Sequence, residues 1–298
     1  MAFQSVAELL EAASHLEEGD RFSELIIRDE AEQDATTRDA VFDNMDAALE
    51  VMIDASASYV GSDRSESGLS GGQAATYSRA VDSGLLLGGP YLHAVTAEAL
   101  KTAESNACMK RIVAAPTAGS CGVIPAVLLP LLNDGTIDRE TAVRALFIAG
   151  AFGEVIATRA TVAGAAGGCQ AEIGSASAMA AAALVDLQGG SPEQCAHAAA
   201  MALTNLMGLV CDPIAGLVEV PCVKRNVVGA LNAVACANMA LSGLTSRIPC
   251  DEVIDAMGEV GSSIIADLRE TGVGGLAGTP TGRKLTEDIR GEEIVISE

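Results

Sequence analysis

The stretch Gly164-Ala-Ala-Gly-Gly-Cys-Gln-Ala-Glu-Ile-Gly-Ser-Ala-Ser-Ala-Met-Ala-Ala-Ala-Ala-Leu-Val-Asp-Leu187 joins a glycine-rich segment to a run of small apolar residues. After Gly174 the only charged residue is Asp186. Alanine is the strongest helix former, and small side chains let neighbouring backbones approach closely. We therefore predict a helix over 175–187 that is buried on several sides and entered through a glycine-rich loop.

The helical pattern extends outward over most of the chain. Apolar residues recur at helical spacing, and alternating strand-like runs are scarce. Ser5-Val-Ala-Glu8 has the sequence of a capping box and predicts a helix that ends near Glu18. The other predicted helices lie at 37–59, 91–106, 123–133, 138–157, 175–187, 191–209, 223–246 and 250–268. The predicted fold class is all-α.

The composition changes near residue 67, where charged residues become sparse and glycine clusters appear between alanine-rich runs. No proline- or serine-rich linker separates the two parts. We expect an acidic helical layer, residues 1–66, packed on a compact helical region, residues 67–298, and one domain overall. The chemistry is expected in the second part.

The charge of the chain excludes several classes of partner. Its 298 residues include 18 basic and 40 acidic side chains, a net charge of −22. Nucleic acids and anionic membranes are bound by clustered basic residues, and no run of basic residues here is longer than a pair such as Lys224-Arg225. The long uncharged run Asn226–Ser246 holds three asparagines and is predicted to form a buried helix. Since the N-terminus does not resemble a secretory signal, we expect a cytoplasmic protein.

Four glycine-rich loops interrupt the second part of the chain. They lie at 67–72, 116–122, 164–174 and 271–282. Glycine at a helix start lets backbone N–H groups approach an anion, where the helix dipole adds positive charge. The alternative is that these glycines serve tight turns and close helix packing. No glycine pattern typical of nucleotide binding is present.

The eight cysteines fall into two groups by local sequence. In a reducing cytosol they serve core packing, reactivity or metal binding. Cysteines in alanine-rich runs or at a helix start are interpreted as packing residues, and these are Cys108, Cys195, Cys236 and Cys250. Those at positions where the backbone is expected to be irregular, with glycine or proline nearby, are candidate ligands, and these are Cys169, Cys211 and Cys222. Cys121 is either a fourth ligand or a small loop residue. Zinc is disfavoured because no close-spaced pair occurs.

Three long segments resemble one known family. They are Arg111-Ile-Val-Ala-Ala-Pro-Thr-Ala-Gly-Ser-Cys-Gly-Val-Ile-Pro125, Gly168-Cys-Gln-Ala-Glu-Ile-Gly-Ser-Ala-Ser-Ala-Met179 and Cys211-Asp-Pro-Ile-Ala-Gly-Leu-Val-Glu-Val-Pro-Cys-Val-Lys-Arg-Asn226. From about Ser67 to about Leu285 the chain resembles the alpha, or catalytic, chain of the iron–sulfur-dependent L-serine dehydratases. The resemblance implies a mostly helical lyase that converts L-serine to pyruvate and ammonia.

The resemblance also implies a cofactor and a set of site residues. Members of the family carry a 4Fe–4S cluster whose fourth iron, without a cysteine, acts as a Lewis acid on the substrate hydroxyl. The matching segments put the three cluster ligands at Cys169, Cys211 and Cys222. The residues expected to line the substrate pocket are Ser70, Gly71, Gly72, Thr117, Gly119 and Ser120.

The base that removes the α-proton is not identified by the sequence. His93, Glu172 and Lys224 are the candidates. Each has a structural alternative: His93 and Glu172 as local capping groups, and Lys224 as a charge that balances thiolates or binds a carboxylate. A pyridoxal mechanism is disfavoured, because none of the four lysines precedes a phosphate-binding strand–loop–helix pattern.

Two further expectations concern partners and rival functions. Relatives often contain a second, smaller domain, and the acidic layer is too short to supply it. We therefore expect a separate beta subunit, a homo-oligomer, or both. A cluster-dependent L-cysteine desulfidase is the nearest alternative function, because the same scaffold could polarise a thiol leaving group. A non-catalytic helical assembly protein, with inert cysteines and glycines used for packing, is the third.

Overall fold

The computed structural model describes residues 3–17 and 19–291, and within these ranges the protein is built from helices and loops. The described residues contain no strand beyond an isolated bridge between Cys211 and Arg269. The helices are α1 Val6–Ala13, α2 Phe22–Gln33, α3 Arg38–Ala57, α4 Gln73–Asp82, α5 Pro90–Ala107, α6 Val123–Asn133, α7 Arg139–Arg159, α8 Gly164–Gly167, α9 Ser175–Leu187, α10 Pro192–Leu206, α11 Cys222–Leu241, α12 Cys250–Ser263 and α13 Pro280–Arg290. The predicted all-α class is confirmed.

Helix α9 is the centre of the fold, and residues 175–185 are all buried. It packs against α6, α7, α10 and α11. Glycines permit the close approach of these helices: a Cβ on Gly153 of α7 would lie 2.6 Å from Met179 Cε. A Cβ on Gly229 of α11 would lie 2.9 Å from Ile173 Cγ2, just before α9. The small residues of α9 and the glycines of its neighbours therefore allow four helices to pack closely around α9.

The N-terminal helices α1 to α3 cover one side of this centre. Buried residues Val6, Leu9 and Leu49 belong to the same continuous apolar core as α9. Only part of the predicted capping box forms at α1, because Ser5 Oγ accepts from Glu8 N at 3.0 Å while the Glu8 carboxylate accepts from Gln4 N. The division at residue 66 stays a prediction. Helix α1 ends at Ala13, earlier than the predicted end near Glu18, and residue Glu18 itself lies outside the described residues.

Most predicted helices are present, with differences at their ends and four omissions. The predicted bounds of α6 and α9 match the structure. Helix α11 ends at Leu241 instead of residue 246, and α12 ends at Ser263 instead of residue 268. Helices α2, α4, α8 and α13 were not predicted. Helix α13 begins at Pro280, inside the segment predicted as the fourth loop.

Helix α7 is long and apolar enough to cross a membrane, by length and composition alone, and no other helix in the described ranges meets that test. Inside the protein, 72% of its most apolar window is buried. Its apolar residues, including Phe147, Ile148 and Phe152, are part of the central core. The composition of α7 is thus accounted for by its position beside α9.

The run 226–246 forms most of α11, whose inward face is buried as predicted.

Candidate functional site

The four glycine-rich loops predicted from the sequence converge where α9 and α11 begin. The loop 164–174 leads into α9, and the segment from Cys211 to Pro221 leads into α11. The loop 116–122 contacts both of these segments, through Glu172 and Asn226. The loops 67–72 and 271–282 join the same region through Glu219 and Asp212. One end of the helical core is therefore built from irregular backbone.

Each of the three candidate ligands lies at such an irregular position. Cys169 follows Gly168, whose φ of 76° is in the left-handed region that favours glycine, and precedes a π-helical turn over 170–174. Cys211 is held by two backbone hydrogen bonds, from its N–H to Leu268 O at 2.9 Å and from Glu270 N–H to its oxygen at 2.7 Å. Cys222 is the first residue of α11.

The three thiols are buried and lie within electrostatic reach of one another. Their residues are 2%, 3% and 5% exposed for Cys169, Cys211 and Cys222. Burial raises the pKa of Cys169 to about 12. Burial, and then the charge of Cys169, also raises the pKa values of Cys211 and Cys222. Such thiols remain protonated unless a metal replaces the proton.

The arrangement differs from a site for a single metal ion. Within the described ranges, no three His, Cys, Asp or Glu side chains are grouped closely enough to hold one ion. An iron–sulfur cluster takes one thiolate per iron, so its ligands stand further apart than those of a single ion. Three buried thiols whose charges raise one another's pKa values are soft donors of the kind that iron–sulfur clusters use.

The Arg225 guanidinium interacts with two of these thiols, Cys169 and Cys222. The guanidinium donates to Val210 O at 2.7 Å and to Asp212 Oδ1 at 2.9 Å. These two residues flank Cys211 in the sequence. Burial lowers the pKa of Arg225, but the charges of Cys169 and Asp212 outweigh burial and raise it. A fixed positive charge beside three thiolates offsets part of the cost of burying them.

Glu172 connects two of the loops beside Cys211. Thr117 Oγ1 donates to Glu172 Oε1 at 2.8 Å, and Cys211 Sγ lies 3.9 Å from Glu172 Oε2. A Cβ on Gly119 would lie 2.8 Å from Oε1, and a Cβ on Gly164 would lie 2.6 Å from Oε2. Both glycines therefore make room for this carboxylate. Burial raises the pKa of Glu172. The hydrogen bond from Thr117 lowers this pKa, but by less than burial raises it.

Asn226 ties the loop 116–122 to the start of α11. Its side-chain oxygen accepts from Gly122 N at 2.9 Å, and its Nδ2 donates to Gly119 O at 2.8 Å and to Cys222 O at 3.0 Å. Ser120 is fully buried, and its hydroxyl contacts backbone groups of its own loop, Ala115 O and Thr117 O. The loop is thus fixed internally by Ser120 and externally by Asn226.

The loop 67–72 is anchored at both ends by carboxylates. Ser65 Oγ and Ser67 Oγ donate to Glu219, three residues before Cys222, at 2.6 and 2.8 Å. Gly71 N donates to Glu104 Oε1 at 3.1 Å. Gly71 and Gly72 line a cavity of 580 Å³, together with Arg64, Tyr77, Lys224 and other residues of α4 and α11. Of the expected pocket residues 70–72, Gly71 and Gly72 border this cavity and Ser70 does not, and its lining does not include the three cysteines.

The fourth loop closes over Cys211 through Asp212. Leu276 N donates to Asp212 Oδ2 at 2.8 Å. A Cβ on Gly275, whose φ is 58°, would lie 2.4 Å from the same oxygen. Glycine is therefore required there by both conformation and space.

The remaining predicted residues occupy different surroundings. His93 Nδ1 lies 3.0 Å from Tyr77 OH, beside the 580 Å³ cavity, and Lys224 is an exposed residue of its lining. Of the three candidate bases only Glu172 contacts a candidate ligand. Cys121 Sγ lies 3.9 Å from Thr102 O on α5 and is a buried packing residue.

Several residues of this site were not identified from the sequence. They are Glu104, Asp212, Glu219 and Asn226. Asp212, Glu219 and Asn226 lie in the segment that carries Cys211 and Cys222, so polar residues close to the candidate ligands in sequence were a usable signal. Glu104 offered no local signal, because its partners lie about thirty positions earlier in the chain.

Comparisons with known proteins match this chain to one family. The family model described as "Serine dehydratase alpha chain" matches residues 17–277. A protein of Bacillus subtilis (strain 168) named "Probable L-serine dehydratase, alpha chain" is 50% identical over 289 residues, which cover 97% of this chain and 96% of that protein. The "L-serine dehydratase, alpha chain" of Peptoniphilus asaccharolyticus is 46% identical over 274 residues, covering 92% of this chain and 94% of that protein. "L-serine dehydratase 1" of Escherichia coli (strain K12) is 43% identical over 181 residues, which cover 60% of this chain and 40% of that protein.

Proposed function

Because the chain belongs to the serine dehydratase alpha chain family, we propose that it is the catalytic chain of an L-serine dehydratase, a lyase that forms pyruvate and ammonia. The observation that carries this proposal is the convergence of four loops on three buried cysteines at one end of the helical core. Two relatives that this chain matches over more than nine tenths of their length are named for the same activity. The serine activity is therefore preferred to the cysteine desulfidase and to a non-catalytic assembly role.

The cofactor proposed for this site is a 4Fe–4S cluster held by Cys169, Cys211 and Cys222. The donor set supports it: three buried thiols beside the Arg225 guanidinium, not grouped for a single ion. A bound cluster with one iron free of cysteine would supply a Lewis acid that weakens the bond between carbon and the serine hydroxyl.

The chain's own residues supply placement and proton transfer. Among the three candidate bases, Glu172 is the one beside the cysteines, and Thr117 holds its carboxylate through Oε1. Its second oxygen, Oε2, is proposed to accept the α-proton. Burial excludes water from this carboxylate and favours its protonated form, which makes it a stronger base once ionised. Gly119 and Gly164 preserve the space in which that carboxylate lies.

The loops 67–72 and 116–122 are proposed to surround the amino acid. Ser70 is 2% exposed, and its hydroxyl has no partner among the described residues. An unpaired buried hydroxyl is unusual and marks a place where a polar ligand would be bound. Thr117 and Ser120 shape the second loop, where they are already engaged by Glu172 and by the loop backbone. Their proposed role is to fix the pocket wall.

A separate beta chain is proposed as the partner of this protein. The support is that the two relatives matched over nearly all of their length are both named as alpha chains. Co-purification of the chain with a tagged beta chain from the same source tests this proposal. Full activity of the alpha chain alone, with no gain when the beta chain is added, would contradict it.

The decisive experiment for the cofactor and the activity is anaerobic reconstitution with iron and sulfide. We expect a brown protein with visible absorbance, bound iron and sulfide, and pyruvate release from L-serine in preference to L-cysteine. Cys211→Ala is expected to lose cluster and activity. The matched control is Cys195→Ala, which also removes a buried thiol but lies in α10, away from the site. Equal cluster content and activity in both variants would overturn the assignment.

A further inference from the structure

The carboxylate of Glu104 binds the start of another helix. Glu104 lies on α5 and is 1% exposed. Its Oε1 accepts from Gly71 N at 3.1 Å and from Gln73 N at 2.8 Å, and its Oε2 accepts from Ala74 N at 3.1 Å. Two of these amides belong to the first turn of α4, and the third is in the loop just before it.

The electrostatics of the two helices explain this pairing. Glu104 lies in the last turn of α5, where the helix dipole disfavours negative charge, whereas the start of α4 favours it. Helix α4 begins after Gly72, which has no side chain to cap the free amides. The next amide, Ala75 N, donates to Tyr59 OH at 3.2 Å. The start of α4 is therefore satisfied within the protein and does not need a substrate anion.

Ser70, immediately before these amides, is held on its other side by Ser65. Ser70 N donates to Ser65 Oγ at 3.1 Å, and Ser65 N donates to Ser70 O at 3.0 Å. The backbone of Ser70 is thus fixed between Ser65 and the Glu104 contact to Gly71. Its buried hydroxyl is left as the one unpaired side-chain group among the described residues of this loop.

We propose that Glu104 is a positioning residue for substrate binding: it holds the loop 67–72 so that the Ser70 hydroxyl, instead of the start of α4, is presented to the carboxylate of the amino acid. This inference rests on the proposed function, in which that loop borders the substrate. Glu104 itself does not touch the substrate. It acts through the backbone at Gly71 and through the fixed start of α4.

Glu104→Gln is the first test, in the full chain reconstituted with iron and sulfide. One acceptor oxygen remains, but the new amide NH₂ faces a backbone N–H and cannot accept from it. We expect the KM for L-serine to rise about tenfold while kcat changes less than about threefold, since the lost contact orders binding. The matched control is Glu98→Gln, at a buried glutamate on the same helix whose carboxylate accepts from Lys101 and Thr102. Its KM is expected to stay within about twofold of the wild type.

A second measurement does not depend on activity. Hydrogen exchange of the cluster-free chain is expected to speed up over residues 70–76 in Glu104→Gln and to remain unchanged there in Glu98→Gln. If the wild type does not convert L-serine, the proposed function fails, while the exchange rates still report whether Glu104 holds the loop. Unchanged exchange in Glu104→Gln, or faster exchange with an unchanged KM, would overturn the inference.

Ser70→Ala covers the case in which Glu104→Gln does not fold. Removal of an unpaired hydroxyl leaves no buried group unsatisfied, so this variant is expected to fold with wild-type exchange over 70–76. Its KM for L-serine is expected to rise as in Glu104→Gln. A wild-type KM in Ser70→Ala would contradict the role assigned to that hydroxyl.

Discussion

The Ser65 hydroxyl donates a 2.6 Å hydrogen bond to Glu219 Oε2, across 154 positions of sequence. Ser67 donates to the other oxygen of the same carboxylate at 2.8 Å. Glu219 is 7% exposed and lies three residues before Cys222. The loop that borders the cavity is therefore joined directly to the segment that carries a candidate cluster ligand.

The first prediction concerns this carboxylate. Glu219→Ala removes the shared acceptor and leaves two serine hydroxyls without their partner, so we expect the free energy of unfolding to fall by about 2 kcal/mol. Denaturant unfolding of the cluster-free chain measures it. Ser65→Ala and the double variant complete a cycle, in which the pair is expected to show a coupling energy of about 1 kcal/mol. Strictly additive effects would mean that the two side chains do not interact in solution.

Contacts between distant segments, such as Ser65 with Glu219, mark the limit of what the sequence could predict. Helices α6 and α9 were predicted with their correct bounds, because each is a run of mostly apolar residues, with at most one charged residue, that starts directly after a glycine. Helix α4 was not predicted, since its cap is supplied by Glu104 from another helix. The start of helix α13 could have been predicted from the sequence, because Thr279 caps it and Pro280 occupies its first turn.

The same reasoning applies to the candidate site. The three cysteines stood out because glycine or proline adjoins them or their neighbours, which is a local property of the sequence. Their polar surroundings depend on contacts between distant segments, such as Asn226 with Gly119. A single sequence does not encode such contacts in any spacing rule. That is why the ligand candidates emerged from the sequence and the residues that hold the loops did not.

A second prediction tests Asn226, which is 1% exposed and both donates and accepts. In Asn226→Asp the group that faces Gly119 O and Cys222 O becomes an oxygen, and two acceptors then oppose a buried charge. We expect a loss of about 3 kcal/mol or more in unfolding free energy and reduced iron after reconstitution. The control is Asn238→Asp, an exposed position on the same helix.

Thermal unfolding and iron content distinguish the two variants. A wild-type melting temperature and iron content in Asn226→Asp would show that this contact does not shape the site. Equal losses in Asn238→Asp would point to a general effect of added charge on α11.

The third prediction concerns stability in acid. The hydrogen bond from Arg38 to Glu24, against the cost of burial, lowers the pKa of Glu24 from 4.5 to about 2, and Arg144 of α7 contributes further. Because the pKa is lower in the folded state, this stability is present above pH 4.5 and is lost as the pH falls toward 2. We expect the ion pairs of Glu24 to contribute roughly 1–2 kcal/mol to the free energy of unfolding at neutral pH, after allowance for the exposure of Arg38.

Glu24→Gln removes that pH dependence, and unfolding curves recorded between pH 6 and pH 3 measure it. The variant should be less stable than the wild type at pH 6, with a difference that narrows as the pH falls. Glu32→Gln, an exposed position on the same helix, is the control and should follow the wild type. A constant difference across this range would mean that the ion pairs joining α2 to α3 and α7 do not carry the effect.

The last prediction tests the space around Glu172. In Gly119→Ala and Gly164→Ala the new Cβ would lie 2.8 and 2.6 Å from the carboxylate oxygens, so the side chain must move away from Thr117 or from Cys211. The obstruction is the end of a side chain, and we therefore expect stability to change by less than about 1 kcal/mol while kcat falls more than about tenfold. Gly150→Ala is the control: nothing lies within 4 Å of its Cβ, and greater helix propensity should stabilise α7 slightly at full activity. Unchanged kcat in both site variants would exclude Glu172 as the group that takes the α-proton.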